Sequence, residues 1–425
     1  MVFSRSMTMA SKDDADALAL LGLLLVVNGR VKNKKKREKW CKDWLLKRRN
    51  YSHINLLNEL RFEPKDFKNY LRMDEKTYLK LLSMVAPLIT KKNTVMRSCI
   101  SPHQRLAVTL RFLATGRSYE DMKYSSVISP QALGKIIPET CAALYKVLCK
   151  EYLKFPKSQE EWKEISQLFE ERWNFPHCLG AIDGKHIDII PPAESGSEFF
   201  NYKGRHSMVL LGIVNAKYQF ILADFGTNGR ISDGGVLQNT KFFEMLNKGE
   251  LHIPSEERVK ESARNLPYVF VADDAFALRT DMIKPFRQAD LTSQEKRIFN
   301  YRLSRARRIV ENAFGILASR FRIFHTQINV EPENIVKIVM AAVVLHNFLI
   351  QHSPRSYAPQ ECVHQENTVD GSIITYGYNP LNSNMENLEQ RNPGNINDTA
   401  KNVRVNFMHY FCREGRVPWQ NNFIV

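Results

Sequence analysis

The chain has 425 residues, 44% of them hydrophobic and 10% aromatic, which is enough to bury a full core and excludes a mainly disordered chain. Lys and Arg number 61 against 45 Asp and Glu, a formal net charge of +16; a surplus that large points to a polyanion, most often nucleic acid, and leaves the fold open. The 7 cysteines are scattered, odd in number and never form CxxC, which argues against a disulfide framework or a cysteine zinc module and fits a reducing compartment.

Residues 17–27 read ALALLGLLLVV, and no segment of the chain strings together the roughly 18 to 20 apolar residues of a membrane span. Acids precede this run, basic residues follow it, and it lacks a small-x-small cleavage site. It reads as a short buried or partner-binding helix rather than a signal peptide. Residues 30–49 then hold eleven Lys or Arg and two acids. Lys34, Lys35, Lys36 and Arg37 are candidates to contact DNA phosphates or to direct nuclear import; the bland alternative is a solvated helix face. Trp40 and Trp44, one turn apart, suggest an aromatic side facing protein.

Residues 60–176 carry helical signals. Arg72-Met73-Asp74 leads into the apolar-periodic Tyr78, Leu81, Leu82 and Val85. Ser101-Pro102-His103-Gln104 combines an N-cap, a proline at the first helical position and a capping glutamine. That helix ends near Gly116, Ser118 opens a short one, and Ser129-Pro130 opens a third, which Pro138 should kink. Long helix, short helix, turn, helix is the order of a helix-turn-helix unit, although any all-helical domain gives similar spacings.

Near residue 177 the period changes. Residues 178–190, 208–216, 218–225 and 268–272 read as strands, a helix follows Asp233, and helices run over about 303–322 and 333–350. Such an order predicts an α/β or α+β core with a mixed sheet. Residues 353–399 are rich in Asn, Ser, Pro and Gln and read as a loose linker, with order returning at 400–412. The expected organisation is a basic arm (1–59), a helical helix-turn-helix-like domain (60–176), a catalytic core (177–352) and a tail (353–425).

Three acids stand out against this framework. Asp183 interrupts an apolar strand, where a carboxylate is costly to bury unless its charge is offset; an Asp-Gly turn is the alternative. Asp273 follows a short buried strand, and Glu311 lies in a helix, where a salt bridge to Arg307 or Arg308 one turn back is the ordinary reading. Together, two strand acids and one helix acid suit phosphodiester cleavage with two Mg²⁺ ions, which needs hard oxygen ligands converging at roughly 4 to 8 Å. Arg307 and Arg308 suit a phosphate backbone better than a buried ion pair.

The strings GAIDGKHI (180–187), NYKG (201–204), SDGGV (232–236), VFVADDAFAL (269–278), NYRLSRARRIVENAFGILASRFR (300–322) and LHNFLI (345–350) resemble the PIF/Harbinger superfamily of DDE transposases and the Harbinger transposase-derived nucleases, including ALP1-like proteins. RFEPKDFKNYLRM (61–73) and RFLATGRSYEDMKYSSVIS (111–129) extend the likeness, which covers roughly residues 35–350 with a weaker echo at 410–420. The resemblance implies an RNase H-like core in which Asp183, Asp273 and Glu311 hold Mg²⁺, with Mn²⁺ as substitute. It makes Asp233 an auxiliary acid or, with Ser232, a helix N-cap, and Lys185 and His186 either phosphate contacts or structural residues. Ala277 stands where many relatives carry proline. The implied function is a metal-dependent nuclease or transposase that cuts at transposon ends and joins the 3′-OH to target DNA. The alternative is a domesticated DNA- or chromatin-binding adaptor. A nuclear protein with a cytoplasmic pool, a Myb/SANT-like partner, self-association and no membrane contact complete the expectation. Asp183→Asn, Asp273→Asn and Glu311→Gln are each expected to abolish cleavage and leave folding intact, because clustered acids repel one another.

Overall fold

A computed structural model of the chain describes residues 41–95, 98–231, 233–260, 262–359, 365–366, 373–375, 385–387 and 397–423. The apolar run at 17–27, Trp40, and the candidates Lys34, Lys35, Lys36 and Arg37 lie outside these residues. Two compact units divide the chain, Met1–Leu46 and Lys47–Val425. All the elements labelled below belong to the second.

Capping chemistry sets the helical third. Helices His53–Leu60 (α1) and Pro64–Leu71 (α2) precede Glu75–Ile89 (α3), which starts where the Asp74 side chain accepts from the Thr77 N–H at 2.9 Å. Pro102–Thr115 (α4) has both halves of the Ser101/Gln104 capping box and stops at Gly116, whose φ of 67° suits glycine. Ser118 caps Tyr119–Ser126 (α5), and Ser129 caps Pro130–Tyr152 (α6). The last runs unbroken through Pro138, so the anticipated kink does not interrupt it. Gln159–Trp173 (α7) leads into the sheet.

Strand Cys178–Asp188 (β1) is buried along its whole length. Ser207–Val214 (β2) pairs antiparallel with it, and Phe220–Asn228 (β3) pairs antiparallel with β2. After helices Asp233–Gln238 (α8) and Lys241–Lys248 (α9), strands Val269–Ala272 (β4) and Met282–Ile283 (β5) add in parallel beyond β1. Spatial order is therefore β3-β2-β1-β4-β5, and Glu386–Asn387 (β6) pairs antiparallel with β1 at Lys185 and His186. Three antiparallel strands followed by two parallel ones form a mixed α/β sheet of RNase H-like topology.

Both faces of the sheet are covered. Ala181, Ile187 and Leu210 join one cluster with the long helices Gln294–Arg320 (α10) and Pro332–His352 (α11). Leu179, Ile182 and Val209 join another, with Trp162, Phe242 and Phe270. The α10 helix starts about nine residues before the sequence expectation, at the Ser293 cap. By length and composition α11 could cross a bilayer, contrary to the reading of uninterrupted apolar runs, but 72% of its apolar window is buried in this core. Its Asn347 side chain bonds the N–H and C=O of Phe220 and the C=O of Tyr152, tying β3 to α6. Helix Asp398–Cys412 (α12) packs on α10, stacking Phe407 on Phe175 with ring centroids 5.8 Å apart.

Burial, above all, pushes His53, His186 and His346 down from the ordinary 6.5 to about 4. The unfolded chain binds these protons first, so stability should be full above pH 6.5 and lost as pH falls toward 4. Melting temperatures measured at pH 7 and pH 5 check this; equal values would refute it.

Candidate active site

Asp183 sits in mid-strand, 3% exposed, and not in a turn: β1 continues to Asp188. Side chains alternate along a strand, so Lys185 lies on the same face as Asp183. Its ammonium is 2.8 Å from Asp183 Oδ2, with the two side chains only 2% and 4% exposed. The ammonium is nevertheless outside hydrogen-bonding geometry, and Oδ2 has charge attraction without a directed donor. Oδ1 accepts from the Gly184 N–H at 3.0 Å. The cross-strand partner of Asp183 is Gly212. A Cβ there would lie 2.8 Å from Phe220 and 3.0 Å from Phe314. Gly212→Ala should therefore destabilise the fold by about 1–3 kcal/mol, read as a lower urea midpoint at constant slope.

Asp273 follows β4 directly, and its Oδ1 accepts from the Ala275 N–H at 3.2 Å, so it also caps a turn. Glu311 projects from α10, where Arg307 Nη1 is 2.7 Å from its Oε1. The same Nη1 lies 3.9 Å from Asp273 Oδ2. Those two carboxylate oxygens can be no farther apart than the sum of the two distances. Burial would lower the Arg307 pKa, yet it is raised, because Glu311, Asp183 and Asp273 all act on its charge. Arg307 thus links an acid at a strand end to one on a helix, and the charge of Asp183 in β1 also acts on it. Arg307, expected from the sequence to suit a phosphate backbone, pairs with Glu311, the one-turn salt bridge that was the ordinary reading of that spacing. Arg308 is half-buried beside it.

Lys185 and His186 are each 2% exposed. With Lys185 paired to Asp183 and His186 Nδ1 2.9 Å from Ser207 Oγ, neither is placed to contact DNA phosphates; both have internal partners. Asp233 opens α8, while its side chain and Ser232 fall outside the described residues. Sequence reasoning missed a second buried acid, Asp188, whose Oδ2 accepts from Arg205 at 2.7 Å; Arg205 also pairs with Glu386 on β6. The signal was present, since Asp188 interrupts the same apolar strand as Asp183.

Among the described residues no three Asp, Glu, His or Cys side chains are close enough together to hold a metal ion. Lys185 and Arg307 meet the carboxylate charge instead. The chemistry of the donors still fits a divalent cation. Asp183, Asp273 and Glu311 offer only hard oxygen ligands, which suit Mg²⁺ or Mn²⁺ rather than Zn²⁺, and the buried Asp183 Oδ2 has no hydrogen-bond donor.

Residues 182–347 match a family described as DDE superfamily endonuclease, a segment that includes all three acids. "Protein ALP1-like" of Arabidopsis thaliana is 26% identical over 306 residues, covering 68% of this chain and 71% of that protein. Antagonist of Like Heterochromatin Protein 1, also from Arabidopsis thaliana, is 24% identical over 292 residues, covering 67% and 72%. A Xenopus laevis protein provisionally named nuclease HARBI1 is 23% identical over 279 residues, covering 63% and 76%. No solved structure matches. Sheet order and these relatives agree: residues 182–347 are similar to the DDE superfamily endonucleases, and the chain resembles ALP1-like and HARBI1 proteins.

Proposed function

We propose that the chain is a divalent-metal-dependent DNA endonuclease of the transposase type, cutting phosphodiester bonds at transposon ends and joining the 3′-OH to target DNA. The observation that supports this reading is that one guanidinium, Arg307, lies 2.7 Å from Glu311 and 3.9 Å from Asp273, with the charge of Asp183 also acting on it. Mg²⁺, or Mn²⁺ in its place, held by these three carboxylates would supply Lewis acidity and an activated water. The chain's own residues prepare the site. Lys185 offsets the charge of Asp183 within the sheet, Arg307 links Glu311 and Asp273, and Phe314 and Phe220 pack against Gly212, across from Asp183.

One observation favours a second reading, a DNA- or chromatin-binding adaptor: Lys185 and Arg307 already balance the acids without any metal. Nicking of duplex DNA carrying the flanking genomic termini, with Mg²⁺, with Mn²⁺ and with EDTA, separates the two. A Myb/SANT-like partner should be included in case it delivers the DNA. Metal-dependent nicks support the nuclease; their absence under every condition selects the adaptor.

Nuclear residence and DNA affinity are part of the same proposal. Replacing Lys34, Lys35, Lys36 and Arg37 with alanine should reduce DNA affinity or nuclear accumulation. Each phosphate no longer neutralised should flatten the log–log salt slope by about 0.9. If affinity and accumulation both survive, the arm is only a solvated surface.

A further inference from the structure

Lys65, Lys68, Asn69 and Arg72 recur at i, i+3, i+4 and i+7, one face of α2 and its C-terminal cap. With Arg320 and Ser356 they line a cleft of about 240 Å³. Among the described residues no acid lines it. Arg72 adopts a left-handed φ of 65°, which a side chain other than glycine seldom takes, and its guanidinium folds back onto the Asn69 carbonyl at 2.9 Å. Its Nε is buried without a hydrogen-bond partner.

The surroundings add charge of the same sign. Burial lowers the Arg72 pKa, and Arg322, Arg111 and Arg320 lower it further. Arg320 donates from Nε to the Tyr357 carbonyl at 2.6 Å, while Arg111 lies 4.3 Å from the Tyr70 ring centroid and donates to the Tyr70 carbonyl at 3.2 Å. Four of the six lining residues, Lys65, Lys68, Arg72 and Arg320, are cations, and like charges this close repel one another. A ligand with several anionic oxygens relieves that repulsion and suits guanidinium and ammonium donors.

We infer that this cleft binds phosphate groups, at a site separate from the carboxylates. Arg320 is nine residues beyond Glu311 on α10. That is about 13 Å along the axis and, at about 100° per residue, on the opposite side of the helix. One phosphate cannot touch both. The phosphates belong either to a nucleic-acid backbone passing the cleft or to a free phosphorylated small molecule, and the inference does not depend on cleavage.

The test compares wild type with Lys65→Gln/Lys68→Gln and with Lys217→Gln/Lys241→Gln, a control pair of exposed lysines elsewhere with the same net charge. Inorganic tripolyphosphate is titrated by calorimetry, and duplex DNA by anisotropy over a salt series. The cleft pair should weaken tripolyphosphate at least about tenfold, with the control close to wild type. A DNA salt slope that also flattens, by about 0.9 for each phosphate no longer neutralised, identifies the backbone as the source; an unchanged slope identifies a free phosphorylated molecule. The inference is overturned if neither probe distinguishes the cleft pair from the control pair, including the case in which wild type binds neither. Failure of cleavage with the cleft effect intact would overturn the proposed nuclease and leave the phosphate site standing.

Discussion

Asp183→Asn should lower folding stability by about 3–5 kcal/mol, the scale on which removing one partner of a buried ion pair acts. The substitution keeps size and shape but removes the carboxylate charge 2.8 Å from the buried Lys185 ammonium. Reasoning from the acids alone gives the opposite sign, since removing one of several like charges relieves repulsion. The buried lysine reverses it. Urea unfolding with an unchanged slope measures the effect, and adding Lys185→Met to Asp183→Asn should recover most of it. An unchanged midpoint in the single variant would refute a stabilising role for the Asp183–Lys185 pair.

Glu311→Gln should behave differently. Its side chain is 28% exposed, and Arg307 keeps Asp273 within 3.9 Å after the change. A one-turn helical pair at such exposure contributes only about 0.3–0.5 kcal/mol, so melting should barely move. Metal-dependent nicking should fall by at least about 10²–10³-fold, as when a group that stabilises transition-state charge is removed, while DNA affinity persists. Wild-type rates in this variant would refute the three-carboxylate mechanism. Measuring nicking and melting on both variants separates loss of chemistry from loss of fold.

Local rules made much of the fold legible. Ser101 with Gln104, Ser118, Ser129 and Asp74 announce helix starts because their side chains satisfy N–H groups within three residues. The strand around Asp183 is legible as a β-branched run, and a carboxylate inside it marks the site. Period-2 alternation also places Lys185 beside Asp183, a step that reading GAIDGKHI as a motif passes over. Arg307 was legible as a partner of Glu311 from spacing alone. Its reach to Asp273 was not, because that contact exists only once β4 and α10 pack on the same sheet. The link from Asp188 through Arg205 to Glu386 joins distant parts of the chain, and no local pattern announces it.

The packing of α12 limits how the protein can be cut. Arg302 is 1% exposed, and burial foremost pulls its pKa down to about 9. Its guanidinium donates to the Gly415 carbonyl at 2.7 Å and to Gln420 Oε1 at 3.1 Å, and lies 4.5 Å from the Phe411 ring centroid. A fragment ending at residue 352 would keep the five-stranded sheet and all three acids yet strip these partners from a buried cation and uncover Phe175 and Phe299. The smallest piece able to fold must therefore run to about Phe423, and a premature stop in the last thirty or so codons would act as a loss of the sheet-bearing core itself.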